Sequence, residues 1–319
     1  MEDRTDLRYA PLLGLALGGG GALGAAHVGV LQVLHERGIR PELVVGTSAG
    51  AVIGAAYAAG IDPYELETMV VDARWGDFGT FSFMPGLGVL DTEGLRRTIE
   101  QVAGGDLRIE DLPLTFGAVA TDVSTGGAVL LSHGSLADAI SASIAVPGLF
   151  RPQRLKGHLL VDGGVVQNLP LQAAFETGAS DVIGVRLAAE WDALPRYRTS
   201  TQVHELEIDS RVTMVRPQIG QRSQWVARDI PGLIELGREA AEQALAEYDV
   251  VSPRPRDPAD KAVARAAAEV IRHGSAGPLE AARAHVDSAR AHADRVLAAG
   301  ASDAASMLRR RDRRTPTLS

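Results

Sequence analysis

The chain has 319 residues, of which 45% are hydrophobic, and a formal net charge of -8 at pH 7. This length suits one or two domains with a sizeable core. The acidic balance argues against nucleic acid as a partner, because binding phosphates requires a basic face, and the absence of cysteine excludes disulfides, thiolate metal sites and a cysteine nucleophile.

The N-terminal segment carries charges of both signs and lacks a basic leader region, so we expect no secretory signal there. The stretch from Leu12 to Leu34 has no charged residue, but its seven glycines would weaken a membrane-spanning helix. We therefore expect a cytoplasmic protein, and peripheral contact with the inner face of the membrane is a further expectation.

Strand and helix patterns alternate along the first 250 residues. Strands are predicted at Leu12–Leu17, Leu43–Val45, Leu114–Ala120, Val129–Leu131, Leu159–Val161 and Val182–Val185. Helices are predicted at Ala25–Arg37, Ala51–Ala59, Thr92–Val102, Ser135–Ala145, Leu169–Gly178 and Pro231–Tyr248. This alternation predicts a three-layer α/β/α fold around a mostly parallel sheet.

The pattern is weaker from Leu187 to Val215, and Trp191–Thr201 is predicted to be a loop. The proline-rich VSPRPRDP then marks a boundary near residue 252. We therefore expect a main domain at residues 9–250 and an Ala/Arg-rich helical tail at residues 252–319.

The first predicted strand runs into LALGGGGALG, where Gly19, Gly21 and Gly24 match the G-x-G-x-x-G pattern of dinucleotide sites. Such a site needs an acidic residue at the end of the second strand. The next acidic residue here is Asp62, after an entire helix. The sequence therefore disfavours a nucleotide-dependent oxidoreductase.

The second predicted strand instead runs into GTSAG, a G-x-S-x-G motif between a strand and a helix. This is the pattern of a nucleophile elbow, in which Ser48 occupies a strained turn and Gly46 and Gly50 leave room for the backbone. Taken alone, the pentapeptide also fits a helix start with Ser48 as an ordinary N-cap.

The glycines after the first predicted strand are expected to lie next to the elbow. A parallel sheet would place them alongside Ser48, where the N–H groups of Gly19, Gly20 and Gly21 lack strand partners. We interpret them as an oxyanion hole.

A nucleophilic serine needs a base, and two kinds of residue are available. Histidine is the usual choice, but no histidine after Ser48 lies in an obvious motif; these residues are His133, His158, His204, His273, His285 and His292. The alternative is Asp162, which ends a predicted strand and would therefore lie on the same rim of the sheet as Ser48, at the carboxyl ends of the strands. It precedes Gly163 and Gly164, although D-G-G alone more often marks a turn.

Four segments in order resemble the patatin-like phospholipase family: GGGGALGAAHVGVLQVL, GTSAGAVIGAAYAAG, ATDVSTG and SASIAVPGLFRPQRLKGHLLVDGGVVQNLP. The resemblance covers residues 12–188. It implies a hydrolase of lipid acyl esters, of phospholipase A or lysophospholipase type, that needs neither a histidine base nor a cofactor.

The resemblance also implies roles for individual residues. Ser48 and Asp162 would form a catalytic dyad, and Gly19, Gly20 and Gly21 the oxyanion hole. The remaining motif glycines would support the backbone; these are Gly24, Gly46, Gly50, Gly163 and Gly164.

One position departs from the family pattern. The family commonly has arginine just before Gly24, where this chain has Leu23. If that arginine binds phosphate, anionic phospholipids are expected to be poorer substrates here. The departure also leaves open an alternative function, a weak or inactive module of the same fold that binds lipid or protein.

Other features carry weaker expectations. His27 is interpreted as a packing residue and Asp122 as a turn residue, and no acidic or histidine cluster has the spacing of a metal site. The aromatic segment Trp75–Phe83 is either a lipid-facing cap or a packed loop, and the basic run Arg309–Arg314 either a solvated end or a contact for anionic lipid. The sequence does not indicate an oligomeric state.

Overall fold

A computed structural model of the chain describes residues 12–72, 105, 107–187, 205–225 and 229–248. Within these ranges, eight strands form one sheet and six α-helices accompany it. The strands are β1 Leu13–Leu17, β2 Leu43–Thr47, β3 Thr115–Asp122, β4 Ala128–Leu131, β5 Gln153–Leu155, β6 His158–Asp162, β7 Asp181–Val185 and β8 Val212–Val215. The helices are α1 Ala25–Glu36, α2 Ala49–Ala58, α3 Pro63–Asp72, α4 Leu136–Ser143, α5 Leu171–Glu176 and α6 Ile230–Ala244.

The sheet is mostly parallel, as predicted. Its order is β5-β6-β3-β2-β1-β7-β8, and β4 pairs with β3 outside this path. Strands β3, β2, β1, β7 and β8 are parallel to one another, whereas β4, β5 and β6 join through antiparallel pairs. The antiparallel strands therefore gather around β3, next to the end of β2.

Both faces of the sheet are covered by helices, which confirms the predicted three layers. Leu15 and Leu17 of β1 pack into a core that also contains residues of α1, α2 and α6. Ala16, between them, packs into a second core with Leu171 and Ala173 of α5. Because successive side chains of a strand point to opposite faces, a strand buried on both sides is hydrophobic throughout.

Helices α1 and α6 cross at two glycines. A side chain on Gly29 would overlap the main-chain oxygen of Ile234, and one on Gly237 would overlap that of Ala26. The two helices therefore approach closely at this crossing. Arg238 of α6 also forms an ion pair with Glu36 of α1, with Nη1 and Oε1 2.9 Å apart. These contacts hold α6 against α1, the helix that follows the glycine bend, which is the segment of residues 18–24 between β1 and α1.

Three elements were not predicted: α3, β5 and β8. Strands β5 and β8 have only three and four residues, too few for a hydrophobic period to show in the sequence. Helix α2 begins at Ala49 rather than Ala51, directly after Ser48. The predicted helix Thr92–Val102, the loop Trp191–Thr201 and the tail 252–319 lie outside the described residues.

Candidate active site

Ser48 occupies a strained turn between β2 and α2. Its φ is 53° and its ψ is -119°, a combination that is costly for a residue with a side chain and is typical of functional sites. A side chain on Gly46 would overlap the main-chain oxygen of Gly50, and one on Gly50 would overlap that of Leu17. The two motif glycines therefore permit a turn that this packing would otherwise forbid.

A buried serine supports this turn from another helix. The N–H group of Ser48 donates to Oγ of Ser143, at 2.9 Å, and that hydroxyl donates to the carbonyl oxygen of Val119, at 2.7 Å. Ser143 is fully buried at the end of α4. Its hydroxyl thus joins the turn to β3, an interaction that no local motif in the sequence indicates.

Asp162 ends strand β6, which runs in the direction opposite to the one that the sequence predicted. We inferred from the sequence that Asp162 and Ser48 share a rim at the carboxyl ends of parallel strands. In the structure β6 is antiparallel to β3, so its carboxyl end points the other way. That inference about the sheet is wrong, because β6 pairs with the part of β3 that extends beyond β2.

The pairing register explains how the two residues still meet. Val119 of β3 pairs with Thr47 of β2, and the next residue, Ala120, pairs with Asp162 of β6. Strand β4 pairs with both Val119 and Ala120 along one edge of β3. Because a strand has only two edges, β2 and β6 must lie end to end along the other edge, with their carboxyl ends facing each other.

The Asp162 carboxyl group is buried and only partly hydrogen-bonded. Asp162 as a whole is only 2% exposed. Oδ1 accepts the N–H group of Gly164 at 2.7 Å, whereas Oδ2 has no hydrogen-bond partner among the described residues. Burial raises the pKa of Asp162 to about 6, although the nearby Ser48 hydroxyl and the Gly164 N–H group both act to lower it.

Main-chain contacts fix the position of this carboxyl group. The N–H group of Asp162 donates to the carbonyl oxygen of Ala145, at 2.9 Å, and its own carbonyl oxygen accepts Oγ1 of Thr121, at 2.9 Å. A side chain on Gly163 would overlap the main-chain oxygen of Val119. The D-G-G turn therefore lies directly against β3.

The glycine bend after β1 provides two free N–H groups. The N–H group of Gly19 donates to the carbonyl oxygen of Asn168, at 3.0 Å, and that of Ala22 donates to the carbonyl oxygen of Gln224, at 2.8 Å. Within the described part of the chain, no hydrogen bond engages the N–H groups of Gly20 and Gly21. Of the three predicted donors, the N–H group of Gly19 is therefore already occupied, because the main-chain carbonyl of Asn168 accepts its hydrogen bond.

The bend lies against the serine turn. A Cβ on Gly19 would be 3.3 Å from Cβ of Ser48, and one on Gly24 would be 2.7 Å from Cβ of Ala49. Gly21 has a φ of 54°, and a side chain there would also overlap the main-chain oxygen of Gln224. The absence of side chains at Gly19 and Gly24 therefore allows the bend to pack directly against the serine turn.

Two residues beside the bend have structural roles. Leu23, where the family commonly has arginine, is 1% exposed and belongs to the main core. His27 is buried in α1, with Nε2 2.8 Å from the carbonyl oxygen of Gly18, and burial lowers its pKa to about 4. A neutral imidazole that donates to Gly18 agrees with the packing role inferred from the sequence.

The described histidines are not arranged as a base for Ser48. Nδ1 of His158 lies 2.7 Å from Oδ2 of Asp122, and Nδ1 of His133 lies 3.0 Å from Oγ of Ser132. Asp122 also accepts the N–H group of Ser124, which is the turn interaction predicted for it. His204, His273, His285 and His292 lie outside the described residues, as do Trp75–Phe83 and Arg309–Arg314.

Sequence reasoning missed three polar residues near this site. Ser143 supports the serine turn, and the main-chain carbonyls of Asn168 and Gln224 accept hydrogen bonds from two N–H groups of the bend. The side-chain amide of Gln224 is buried without a partner among the described residues. Of these three residues, only Asn168 stands out in the sequence, because it is the single asparagine in 319 residues.

No group of three or more acidic or histidine side chains in the described ranges has the arrangement of a metal site. No helix within those ranges combines the length and the apolar composition that a membrane span requires.

Comparison with known proteins gives one family. The sequence model described as patatin-like phospholipase matches residues 15–175. An uncharacterised NTE-family protein of Mycobacterium tuberculosis is 37% identical over 179 residues, which are 56% of this chain and 49% of that protein. The neuropathy target esterase sws of Drosophila melanogaster is 33% identical over 190 residues, which are 56% of this chain and 13% of that protein.

Among solved structures, VipD from Legionella pneumophila superimposes with a TM-score of 0.57 at 16% identity. The match covers 75% of this chain and 68% of VipD. At this identity the likeness concerns the fold alone. This chain spans about half the length of the mycobacterial relative named above and a smaller share of the fly protein.

Proposed function

The chain belongs to the patatin-like phospholipase family, and we propose that it is a serine acyl hydrolase that cleaves carboxylic esters of lipids through Ser48 and Asp162. One observation carries the proposal: a serine in a strained turn has its hydroxyl close enough to the buried Asp162 carboxyl group to lower its pKa, and Oδ2 of that group has no hydrogen-bond partner among the described residues. The two N–H groups of Gly20 and Gly21 add the means to stabilise an oxyanion next to that serine.

The first step is attack by Ser48. Oγ forms a bond to the ester carbonyl carbon while its proton passes to Oδ2 of Asp162, and the carbonyl electron pair moves onto oxygen. The resulting oxyanion accepts hydrogen bonds from the N–H groups of Gly20 and Gly21. When the tetrahedral intermediate collapses, the alcohol leaves and takes the proton back from Asp162.

The second step is hydrolysis of the acyl-serine. Asp162, ionised again, removes a proton from water as the water oxygen attacks the acyl carbonyl. The fatty acid leaves and the proton returns to Ser48. The same carboxyl group thus serves as base and acid in each half of the reaction, and no cofactor takes part.

The environment of Asp162 suits this role. An ordinary aspartate has a pKa near 3.9 and is a weak base for a hydroxyl group. Burial raises the pKa of Asp162 to about 6, so the carboxylate is a stronger base and is still mostly ionised near neutral pH. The raised pKa therefore supports Asp162 as the base, without a histidine.

The substrate class follows from the family and from the relatives. The family is described as phospholipases, and the fly relative is named an esterase. We propose phospholipids or lysophospholipids as substrates. Leu23 lies in the core, so this position supplies no guanidinium for an anionic head group.

The test is active-site labelling followed by hydrolysis of esters. A fluorophosphonate should label the wild-type chain but not Ser48→Ala, and p-nitrophenyl esters should be cleaved only by the wild type. A folded wild-type protein that neither reacts with the probe nor cleaves any ester would contradict the proposal and favour the binding module. A panel of lipids with different head groups then identifies the preferred substrate.

A further inference from the structure

Asn168 occupies a position that its main-chain role does not explain. Its carbonyl oxygen accepts the N–H group of Gly19 at 3.0 Å, but any residue could provide that carbonyl. Asn168 is not among the described non-glycine residues with positive φ, so its backbone does not call for asparagine. Asn168 is also the single asparagine among the 319 residues of the chain.

The side chain of Asn168 lies between the glycine bend and the D-G-G turn. Its Oδ1 is 2.5 Å from the position that a Cβ on Gly19 would occupy, and 3.2 Å from the corresponding position on Gly164. Those two positions are in turn 3.3 Å from Cβ of Ser48 and 2.9 Å from Oδ1 of Asp162. The amide is therefore close to both members of the proposed dyad.

The amide of Asn168 is also available to a ligand. No hydrogen bond within the described residues engages its Oδ1 or Nδ2, and the residue is only partly buried. An amide that held two segments of the fold together would instead be bonded to one of them. The side chain can therefore donate to a substrate without losing an internal interaction.

We propose that Asn168 is a further catalytic residue, whose Nδ2 donates a hydrogen bond to the oxygen of the reacting carbonyl. This inference rests on the proposed function, and it adds a third donor to the N–H groups of Gly20 and Gly21. The main-chain carbonyl of Asn168 accepts the N–H group of Gly19. The side-chain atom at the same end of the bend is Oδ1, and a half-turn of the amide about χ2 exchanges it for the Nδ2 donor.

The charge of the group matters for this role. A neutral amide can stabilise an oxyanion close to the Asp162 carboxylate. A carboxylate in its place would repel the oxyanion and the Asp162 carboxylate. Asn168→Asp keeps the size of the side chain and the main-chain bond to Gly19, but at pH 8 its ionised form has no proton to donate. It therefore separates the chemistry of the amide from its volume.

The kinetic test compares Asn168→Ala and Asn168→Asp with Gln218→Ala, which removes an amide from an exposed position. Loss of one oxyanion donor typically lowers kcat about 100-fold to 1,000-fold. We expect both Asn168 variants to lose kcat on this scale with little change in KM, and Gln218→Ala to resemble the wild type. Values of kcat within about threefold of the wild type in folded Asn168 variants would overturn the inference.

A second test needs no variant. In protein labelled with [15N]asparagine, the side chain gives a single NH2 pair, because the chain has one asparagine. A fluorophosphonate bound to Ser48 presents a phosphonyl oxygen where the oxyanion would form. We expect one proton of the pair to move downfield in this adduct, which a purely structural amide would not show.

The outcomes separate this inference from the proposed function. An adduct on Ser48 with an unmoved NH2 pair would overturn the role of Asn168 and leave the hydrolase proposal standing. A folded protein that forms no adduct and cleaves no ester would overturn both.

Discussion

Ser48 and Asp162 stand at the facing ends of two strands that share one edge of β3. Thr47, just before Ser48, pairs with Val119, and Asp162 pairs with the adjacent Ala120. Two residues 114 positions apart are thus neighbours because two strands of opposite direction end at consecutive positions of a third. The relationship is set by the pairing of strands, so both residues of the candidate site are positioned by the sheet.

The first prediction separates a dyad from a triad. Ser48→Ala should abolish ester hydrolysis, whereas His158→Ala should keep most of it, because His158 pairs with Asp122 and not with Ser48. Steady-state rates on a soluble ester check this. A His158→Ala variant as inactive as Ser48→Ala, with intact folding, would show that histidine takes part in catalysis.

The pH profile of kcat/KM tests Asp162 as the base. Because the base must be ionised in the free enzyme, kcat/KM should rise as the pH passes through about 6, the pKa to which burial raises Asp162. Activity should then remain constant towards pH 8. A rise centred near 4 would mean that Asp162 behaves like a solvent-exposed aspartate.

The same carboxyl group should make the protein less stable at higher pH. Below pH 4, Asp162 is protonated in both the folded and the unfolded chain and contributes nothing. Between about pH 4 and 6 the unfolded chain releases this proton while the folded chain retains it, so the free energy of unfolding falls as the pH rises. The cost reaches about 3 kcal/mol above pH 6.

Asp162→Asn should therefore be inactive and yet more stable than the wild type at pH 8, with the difference vanishing near pH 4. Chemical denaturation at both pH values measures it. Asp122→Asn is the control: burial raises the pKa of Asp122, but the hydrogen bonds from His158 and Ser124 outweigh burial and lower it. That variant should lose stability at pH 8, and a gain by both variants would point to a general charge effect.

Ser143→Ala tests the support of the serine turn. The change leaves the N–H group of Ser48 and the carbonyl oxygen of Val119 without their shared partner. We expect a loss of about 1–3 kcal/mol in the free energy of unfolding and a lower kcat. Ser141→Ala, at a buried serine of the same helix, should change both less. Equal effects of the two substitutions would mean that the hydroxyl of Ser143 has no special role.

Leu23→Arg tests whether the family arginine can be restored. Leu23 is 1% exposed in the main core, so a guanidinium there would be a buried charge without a prepared partner. We expect the free energy of unfolding to fall by about 3–5 kcal/mol, with no gain in hydrolysis of anionic phospholipids. Leu23→Met, which conserves volume, should be tolerated. A stable Leu23→Arg with faster hydrolysis of anionic lipids would contradict this expectation.

The sequence by itself determined much of this protein. Hydrophobic runs and glycine positions located most strands and helices of the main domain, and GTSAG and LVDGG identified Ser48 and Asp162 as site candidates. These features are local, because a strand end, a tight turn or a close backbone approach restricts the residues at its own position.

Only the tertiary structure decided how these parts meet. The opposite direction of β6, the occupied N–H group of Gly19 and the support of Ser48 by Ser143 all depend on contacts between residues 38 to 149 positions apart. Such contacts leave no period or motif in the sequence, because they are fixed by the pairing register and by packing across the sheet. The sequence thus supplied the reactive groups, and the strand pairing around β3 determined which of them face each other.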